Sequence, residues 1–504
     1  MVIILLFTLN KSVLVVSNST SWVVNGISIC TARGHQWYPE ICSDGDGGAI
    51  ITWRDSRNGY WDIYAQRVDS KGSVRWASNG VSICNAINHQ IDPVICIDGS
   101  GGAFIVWGDK RNGNNYQIYA QRVDANGNIQ WSENGIVICN QSCVVNHQIL
   151  YNNNGDVIIT WVDHRVGDSL YSQKLDIDGN IQWKDNGVLI CNATSYQRRP
   201  QICNDEEGGA IIIWDDERRF DYWEEDLYAQ RINSNGVVQW EFNGVNISNA
   251  RSSIGSGKLI SDNNGGAIIT WVDDRSGNYN LYAQRVNYEG SLLWNQSGII
   301  ICDANNSKGY TRIVEDGSGG SIITWEDCRT GSNWDIYAQR IDPSGVVKWE
   351  ENGVLMYNAD NDGDLYSTLR HQSYYDGKGR IFIGYLDYRN NLSSRDIYAQ
   401  KFDLNGEIQW EENGKPICND PNDNGYFKAV ITEYRNAITV WSDYRNGVDA
   451  DIYALLTSLS SSKDIDGYNI FFLLVISIPM ILLFIIKARK FMNPKMYNKV
   501  AKII

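Results

Sequence analysis

The chain has 504 residues, 43% of them hydrophobic and 12% aromatic, with 19 Trp, 28 Tyr and a formal net charge of −15. That much apolar surface excludes an intrinsically disordered chain. The last 18 positions hold six basic residues and no acid, so the rest of the chain carries −21 and is a poor partner for phosphate backbones, which excludes nucleic-acid binding.

Residues 1–20 open on the apolar run MVIILLFTL, which no Lys or Arg precedes and Asn10-Lys11 interrupts. They read as a weak or truncated export signal. From residue 21 a repeat takes over. The stretch GGAIITWRDSRNGYWDIYAQRVDSKGSVRWASNGVSIC, ending at Cys84, returns as GGAFIVWGDKRNGNNYQIYAQRVDANGNIQWSENGIVIC, ending at Cys139. Its marker aromatic stands at Trp53, Trp107, Trp161, Trp214, Trp271, Trp325, Tyr385 and Trp441, at spacings of 53 to 60 residues. Eight units fill residues 21–458 and leave no room for an unrelated second domain.

Each unit predicts four short strands. The first is a P-x-I-C stretch, as at 93–97, closed by an Asp-Gly-x-Gly-Gly turn. The second is the apolar run at 49–53, ended by Arg57-Asn58-Gly59, a type I′ hairpin signal. The third is DIYAQRVD at 62–69, followed by a Lys71-Gly72 turn, and the fourth carries Trp76 and then Asn79-Gly80-Val81. Helical periods of useful length are absent. Four strands per unit, eight times over, predict an all-β chain: an eight-bladed β-propeller of four-stranded blades. A β-solenoid is the alternative, with shorter rungs and fewer tight hairpins. The ends predict closure, because residues 21–30 match a fourth strand alone and the last unit lacks one. The N-terminal strand then completes the last blade and removes the open edge.

A juxtamembrane linker is expected at 459–468 and one transmembrane helix at 469–487. The core of that span, IFFLLVISIPMILLFII at 470–486, is uncharged and about 25 Å long as a helix. Residues 488–504 form a basic tail. With Lys487, Arg489, Lys490, Lys495, Lys499 and Lys502 on the far side, the positive-inside rule puts the tail in the cytoplasm and the large body outside.

The Asp and Arg of W-x-D-x-R occur in every unit: Asp55/Arg57, Asp109/Arg111, Asp163/Arg165, Asp216/Arg218, Asp273/Arg275, Asp327/Arg329, Asp387/Arg389 and Asp443/Arg445. A feature of every unit is what a fold needs, so these pairs read as charge-assisted ties rather than as a ligand ring. Cysteine follows the same logic. Six sit eight residues after the fourth-strand Trp (Cys30, Cys84, Cys139, Cys191, Cys302 and Cys418), and Cys42, Cys96 and Cys203 sit eleven before the marker. A disulfide between such sets has to span three strand spacings, roughly 14 Å, against the ~4.4–6.8 Å it needs between Cα atoms. They read as small buried hydrophobes, with Cys139 and Cys143 the exception. The Asp-Gly-x-Gly-Gly turns at 44–48, 98–102 and 316–320 admit calcium but offer one or two carboxylates each, so no cofactor is expected. His-Gln at His35-Gln36, His89-Gln90, His147-Gln148 and His371-Gln372 suggests loop anchors ahead of a metal site. Eight N-x-S/T sequons are compatible with a glycosylated exterior.

Function is expected where the symmetry breaks. Residues 215–226, DDERRFDYWEED, are longer than their counterparts and set Phe220, Tyr222 and Trp223 among Arg219 and Glu224, a mixture suited to sugar stacking or a protein partner.

The unit W-x-D-x-R-x-G-x-x-D-I-Y-A-Q-R-x-D-x-x-G-x-x-x-W, over about residues 21–457, resembles the repeats of uncharacterised exported proteins of bacteria and archaea that are taken to be β-propellers. More distantly it is similar to the propeller repeats of the TolB type. Neither likeness implies a catalytic residue. The sequence therefore points to a membrane-anchored cell-surface module that binds a protein or a glycan. The alternatives are an extracellular glycosidase-like hydrolase, for which Asp221, Glu224 and Glu225 are the local acids, and a structural component of the surface layer. No G-x-S-x-G, P-loop, Rossmann or H-E-x-x-H motif is present.

Overall fold

The computed structural model describes residues 22–460 apart from 114, 153–154, 219–224, 250–253, 332, 360–370, 391–393 and 423. The expected signal segment, transmembrane span and basic tail lie outside the described residues. Among the described residues there is no helix, and so none long and apolar enough to cross a membrane.

The chain begins with β1 (Ile27–Cys30). There follow β2 (Gln36–Ser43), β3 (Ala49–Asp55), β4 (Asp62–Val68) and β5 (Val81–Cys84), then β6 (Gln90–Ile97), β7 (Ala103–Asp109), β8 (Tyr116–Val123) and β9 (Ile136–Asn152). Next come β10 (Asp156–Asp163), β11 (Ser169–Leu175) and β12 (Val188–Cys191), then β13 (Gln197–Asn204), β14 (Ala210–Asp216), β15 (Asp226–Ile232) and β16 (Val245–Asn246). After them lie β17 (Ile254–Ser261), β18 (Ala267–Asp273), β19 (Asn280–Val286) and β20 (Ile299–Cys302), followed by β21 (Lys308–Glu315), β22 (Ser321–Asp327), β23 (Asp335–Ile341) and β24 (Val354–Tyr357). The last are β25 (Gln372–Tyr375), β26 (Arg380–Asp387), β27 (Asp396–Asp403), β28 (Lys415–Cys418), β29 (Asn424–Ile431), β30 (Asn436–Asp443) and β31 (Asp451–Ser458).

Each unit's strands pair in antiparallel sequence order, giving six four-stranded sheets and one of seven strands among the described residues. The larger sheet arises because β9 is a single 17-residue strand that is outermost for β6–β8 and first for β10–β12. Its segment NQSCVVNHQ has neither Gly nor Pro and is rich in Val, so nothing breaks it where other units turn. β1 pairs with β31 (Ile27↔Ala454, Ser28↔Tyr453) and completes the sheet of β29–β31. First strands lie against one another in succession, β2 on β6, β6 on β9, β9 on β13, β13 on β17, β17 on β21, β21 on β25, β25 on β29, and β29 on β2. The circuit is closed, a propeller-like arrangement.

The core lies between successive sheets. Ile50, Ile63 and Ile83 of one pack with Ala103, Ile105 and Trp107 of the next, and Ile438, Val440 and Ile452 of the last pack with Ile51 and Trp53 of the first. The second strand of each sheet is buried on both faces, which is why it reads as the unbroken run Ala-Ile-Ile-Thr-Trp. Each fully buried marker Trp contributes about 4–6 kcal/mol of apolar burial as an upper estimate.

Two local expectations change. In the 57–59 loop Asn58 is not left-handed; only Gly59 is (φ 94°), and Gly59 N donates to Ser56 O at 2.9 Å. The last ladder pair is Asp55↔Asp62, so the connection is too long for a two-residue type I′ turn. Trp76 precedes its fourth strand instead of lying in it: its indole donates to Ala125 O of the next sheet at 3.1 Å. The Asn79-Gly80 turn then seats glycine on the marker ring. A Cβ at Gly80 (φ 87°) would stand 2.6 Å from Trp53 Cη2.

Candidate functional site

The W-x-D-x-R residues sit between sheets. Asp109 accepts from Trp107 Nε1 at 2.8 Å, from Arg111 Nε at 2.9 Å and from Arg111 Nη2 at 2.6 Å. Arg111 Nη2 also donates to Asn134 O at 2.7 Å, and the guanidinium lies 3.9 Å over the Tyr119 ring. The other seven aspartates each pair with their own arginine. In unit seven Tyr385 replaces Trp, and its hydroxyl donates to Asn413 O at 2.8 Å.

The pairs are present in all eight units, and Arg275 differs from its counterparts only in what it meets beyond its aspartate. It pairs with Asp273 and lies 4.2 Å over the Tyr282 ring, as its counterparts do. Outward, Nη1 donates to Ser297 O at 2.8 Å, and Nη2 to Ser248 O at 3.2 Å. The cause is local sequence. Ser248 stands in the cysteine slot, eight residues after Trp240, so Arg275 meets a main-chain carbonyl where Arg111 meets a sulfur, while its bond to Ser297 O matches that of Arg111 to Asn134 O.

Six fourth-strand cysteines join this network, which their spacing alone did not disclose, and Tyr357 takes the slot beside Arg389. Cys84 Sγ lies 3.7 Å from Asp109 Oδ2 and 3.1 Å from Arg111 Nη2 of the next sheet. Burial pushes the thiols of Cys30, Cys84, Cys191 and Cys418 up to about 12, so they stay protonated and serve as weak donors. All eleven cysteines are free, and Cys139 and Cys143 have their sulfurs 3.2 Å apart without a bond.

Neither metal reading finds a fitting donor set. Asp44 Oδ1 accepts from Asp46 N and Gly48 N, and Oδ2 from Arg67 Nε, so calcium at this turn would have to displace an arginine. The His-Gln pairs fall in two registers, because His35 and His89 stand 18 residues before the marker while His147 and His371 stand 14 before it. His35 and His89 each accept a backbone N–H, from Ala450 and Trp61, at 3.2 Å. His147 is buried against Val106 O, and His371 lies between Thr324 and Glu326. Cys139, Cys143 and Asp163 are close enough to share an ion, but Asp163 is held by Arg165, whose Nη2 is 3.3 Å from Cys139 Sγ.

Of the residues expected to bind, Arg219, Phe220, Tyr222, Trp223 and Glu224 lie outside the described residues, as does Asp221. Glu225 is described, and its carboxylate is paired with Arg199 Nη2 at 2.8 Å.

A different set of symmetry-breaking residues comes together at the first strands. β2 skips register between Trp37↔Arg54 and Glu40↔Thr52, so that Tyr38 and Pro39 oppose the single residue Trp53. This is a β-bulge, a device that re-aims a side chain. The same skip occurs in β6, β13, β17, β21 and β29. At five of these bulges a non-glycine residue is left-handed: Tyr38 (φ 54°), Asp92 (51°), Arg199 (50°), Tyr310 (39°) and Tyr426 (42°). Each such residue stores about 1–3 kcal/mol of strain, which accumulates at functional sites more than elsewhere.

Two residues further along each first strand, 13 before the marker, stand Glu40, Val94, Gln148, Gln201, Lys258, Arg312, Gln372 and Lys428. A cavity of about 250 Å³ opens between the two registers, lined by Tyr38, Tyr310 and Tyr426 together with Glu40, Arg312, Arg395, Lys428 and Gln372. Tyr310 and Tyr426 are 39% and 41% exposed, so their rings are open to a ligand. Tyr38 and Tyr426 meet at 4.1 Å between ring centroids with hydroxyls 3.0 Å apart. Beside them the Arg54 guanidinium lies 4.2 Å from the Tyr38 ring and 4.6 Å from that of Trp61, and Trp61 stacks on Trp37 at 5.2 Å. A second cavity of about 540 Å³ is lined by Ile202, Leu259, Ile313, Ala429 and Val430 from four different first strands, with Asn204, Ser261, Asn263, Glu315 and Ser373 among its polar residues.

Charge is held under burial here. Asp215, paired to Arg199 Nε at 2.6 Å, is pushed up to about 7 by burial. Lys258, which donates to Gln201 Oε1 at 3.1 Å, is brought down to about 8 by burial and by the positive charge of Arg312. Burial also lowers Arg312.

No protein-family model matches the chain, and no curated protein matches it. Among solved structures, the BP39L lectin from Burkholderia pseudomallei is similar with a TM-score of 0.48 at 8% identity, over 75% of this chain and 98% of the lectin. A PL25 polysaccharide lyase, an ulvan lyase, is similar with a TM-score of 0.46 at 12% identity, over 74% and 95% of the two chains. A puromycin-hydrolysing peptidase of Mycobacterium tuberculosis gives 0.41 at 11% identity, over 84% and 61%. At such scores the likeness carries no statement about what this chain binds or does.

Proposed function

We propose that this chain is a membrane-anchored cell-surface recognition protein: an eight-bladed β-propeller outside the cell, a crossing at 469–487, a cytoplasmic tail, and a glycan as its ligand. Eight blades are supported by counting β9 in two sheets and β1 in the last, which makes eight four-stranded sets. The closed circuit of first strands supports the same count. The membrane crossing and its orientation rest on the apolar run and the charges beyond it.

The observation that carries the glycan reading is the set of three tyrosines held in left-handed backbone around one open cavity. The left-handed bulge recurs at Asp92 and Arg199, so the strain belongs to the first strands as a set, and what sets this cavity apart is that three of the bulge residues around it are tyrosines. Sugar rings present apolar C–H faces that stack on aromatic side chains, and hydroxyls that accept from Arg, Lys and Gln. Both kinds of group line the cavity. At about 250 Å³ it lies below the range of about 300–1,000 Å³ for drug-sized ligands, which suits one sugar residue with the rest of a chain running outward.

The test is a glycan array probed with the full-length protein in detergent, beside a variant carrying Tyr310→Ala and Tyr426→Ala. Binding by the native chain that the variant loses supports the reading. Equal binding by both forms, or none by either, refutes it.

A further inference from the structure

The joint between units two and three, through which β9 runs as one strand, carries two cysteines. Cys139 fills the usual slot eight residues after Trp131. Cys143 stands 18 before its marker, the register of His35 and His89. Those histidines fasten the strand entry in units one and two by accepting a backbone N–H.

The ladder explains how the two sulfurs meet. Cys139 opposes Ile118 and Cys143 opposes Tyr116, so four steps along β9 answer two along β8. The surplus at 140–142 bulges, with Asn140 exposed, and reunites side chains that an extended strand would hold about 13 Å apart. Both cysteines are buried, and Cys143 Sγ donates to Cys139 Sγ at 3.2 Å. The approach that remains to an S–S bond is about 1.2 Å. Cys84, in the same slot of its unit, meets an arginine and an aspartate. Cys139 meets Arg165 and Asp163 and a thiol besides.

We propose that Cys139 and Cys143 form a disulfide by exchange with a small-molecule disulfide outside the cell, and that this bond fastens the joint where β9 passes from one sheet to the next. One thiolate of the pair attacks the oxidant, giving a mixed disulfide and releasing one thiol. The other thiolate then attacks the protein sulfur of that mixed disulfide, forming the Cys139–Cys143 bond and releasing the second thiol. Two protons leave the pair and two electrons pass to the oxidant. The inference takes the external placement of the body from the reading above, since such bonds persist in an oxidising exterior, and it is independent of the ligand.

The test uses the full-length protein in detergent at pH 8, with and without excess glutathione disulfide. The hydrogen bond to Cys139, with burial, pushes the Cys143 thiol well up, so exchange in the folded chain is slow and is followed until it stops changing. Free thiols are then alkylated in urea and the tryptic peptides weighed. Residues 123–165 hold both cysteines and no internal Lys or Arg, so they travel as one peptide. From reduced protein that peptide should carry two alkyl groups. From oxidised protein it should carry none and be two hydrogens lighter. Oxidation should also raise the urea midpoint, and the rise should vanish in Cys143→Ser and in Cys139→Ser. Serine already occupies the Cys139 slot at Ser248, so the fold accepts the second variant. Two alkyl groups on the peptide after oxidation, or glutathione retained on either cysteine, overturn the proposal. A rise in midpoint that persists in both variants overturns the fastening role. No glycan enters the assay, so a failure here leaves the glycan reading untouched, and an empty array leaves the disulfide untouched.

Discussion

Replacing Asp109 by Ala tests whether the W-x-D-x-R pairs hold the sheets together. The carboxylate is buried and Arg111 is only 17% exposed, so solvent screening does little for the cation left behind. Breaking such a pair from one side costs about 3–5 kcal/mol. The indole N–H of Trp107, which donates to the same carboxylate at 2.8 Å, is orphaned as well, for a further ~1–3 kcal/mol. Unit seven supplies an internal control. There the marker is Tyr385, and its hydroxyl donates to Asn413 O. Asp387→Ala therefore breaks the ion pair without stranding an indole, and should be milder than Asp109→Ala by about 1–3 kcal/mol. Urea unfolding followed by tryptophan fluorescence reads both values. A loss below about 1 kcal/mol at Asp109, the worth of an exposed pair, refutes the reasoning. Equal losses at the two sites refute the part assigned to the indole.

Three further outcomes follow from the same packing. Gly80→Ala should cost more than Gly59→Ala, because both are left-handed but only the Gly80 Cβ meets the Trp53 ring, at 2.6 Å; the strain common to both is about 1–2 kcal/mol, and urea midpoints compare them. Burial lowers His147 from 6.5 to about 4, so its imidazole is neutral in the fold. The stability this gives is complete above pH 6.5 and is lost as pH falls from 6.5 towards 4, by about 3 kcal/mol in all. A His147→Gln variant should lack that part of the pH dependence, and parallel curves for the two proteins count against it. Thiol labelling at pH 8 should reach at most the half-buried Cys96 and Cys328 before urea is added and all eleven cysteines afterwards; native labelling of Cys84 contradicts its buried thiol.

The architecture was legible because one pattern is written eight times. Alternating apolar residues, turn glycines and a fixed marker spacing specify strands whatever any single unit does, and the orphan strand at 21–30 could pair only with the unit that lacked a fourth strand. The same repetition hid the small departures: W-x-D-x-R is intact around Arg275, and its altered bond comes from Ser248, which takes the cysteine slot far from it in sequence. The bulges were harder still to read. Tyr and Arg carry no local preference for left-handed backbone, so Tyr310 and Tyr426 look like ordinary strand residues. A signal was present in Tyr38-Pro39, Asp92-Pro93 and Arg199-Pro200, since a proline inside a paired strand belongs at a bulge. The cations of the cavity come from units six, seven and eight, and only aligning the units on their markers brings Arg312 and Lys428 to one register.

The two sets of charged residues are divided by strand. The Asp–Arg pairs end the second strand of every sheet and tie it to its surroundings all around the circuit, so they fix the spacing of the first strands without choosing a ligand. Among the described residues, no hydrogen bond or ion pair joins the bulge residue or the residue two beyond it to those Asp–Arg pairs. Those two positions can be Tyr, Asp, Arg, Glu, Gln or Lys in different units while the paired Asp and Arg stay constant. A scaffold of this kind separates stability from specificity in the sequence itself. Residues common to all units should move the unfolding midpoint, and residues that differ at the bulge register should move binding. Tyr426→Gly tests that division directly, since glycine takes a left-handed backbone without the strain that any Cβ brings, and it should weaken glycan binding without lowering the urea midpoint.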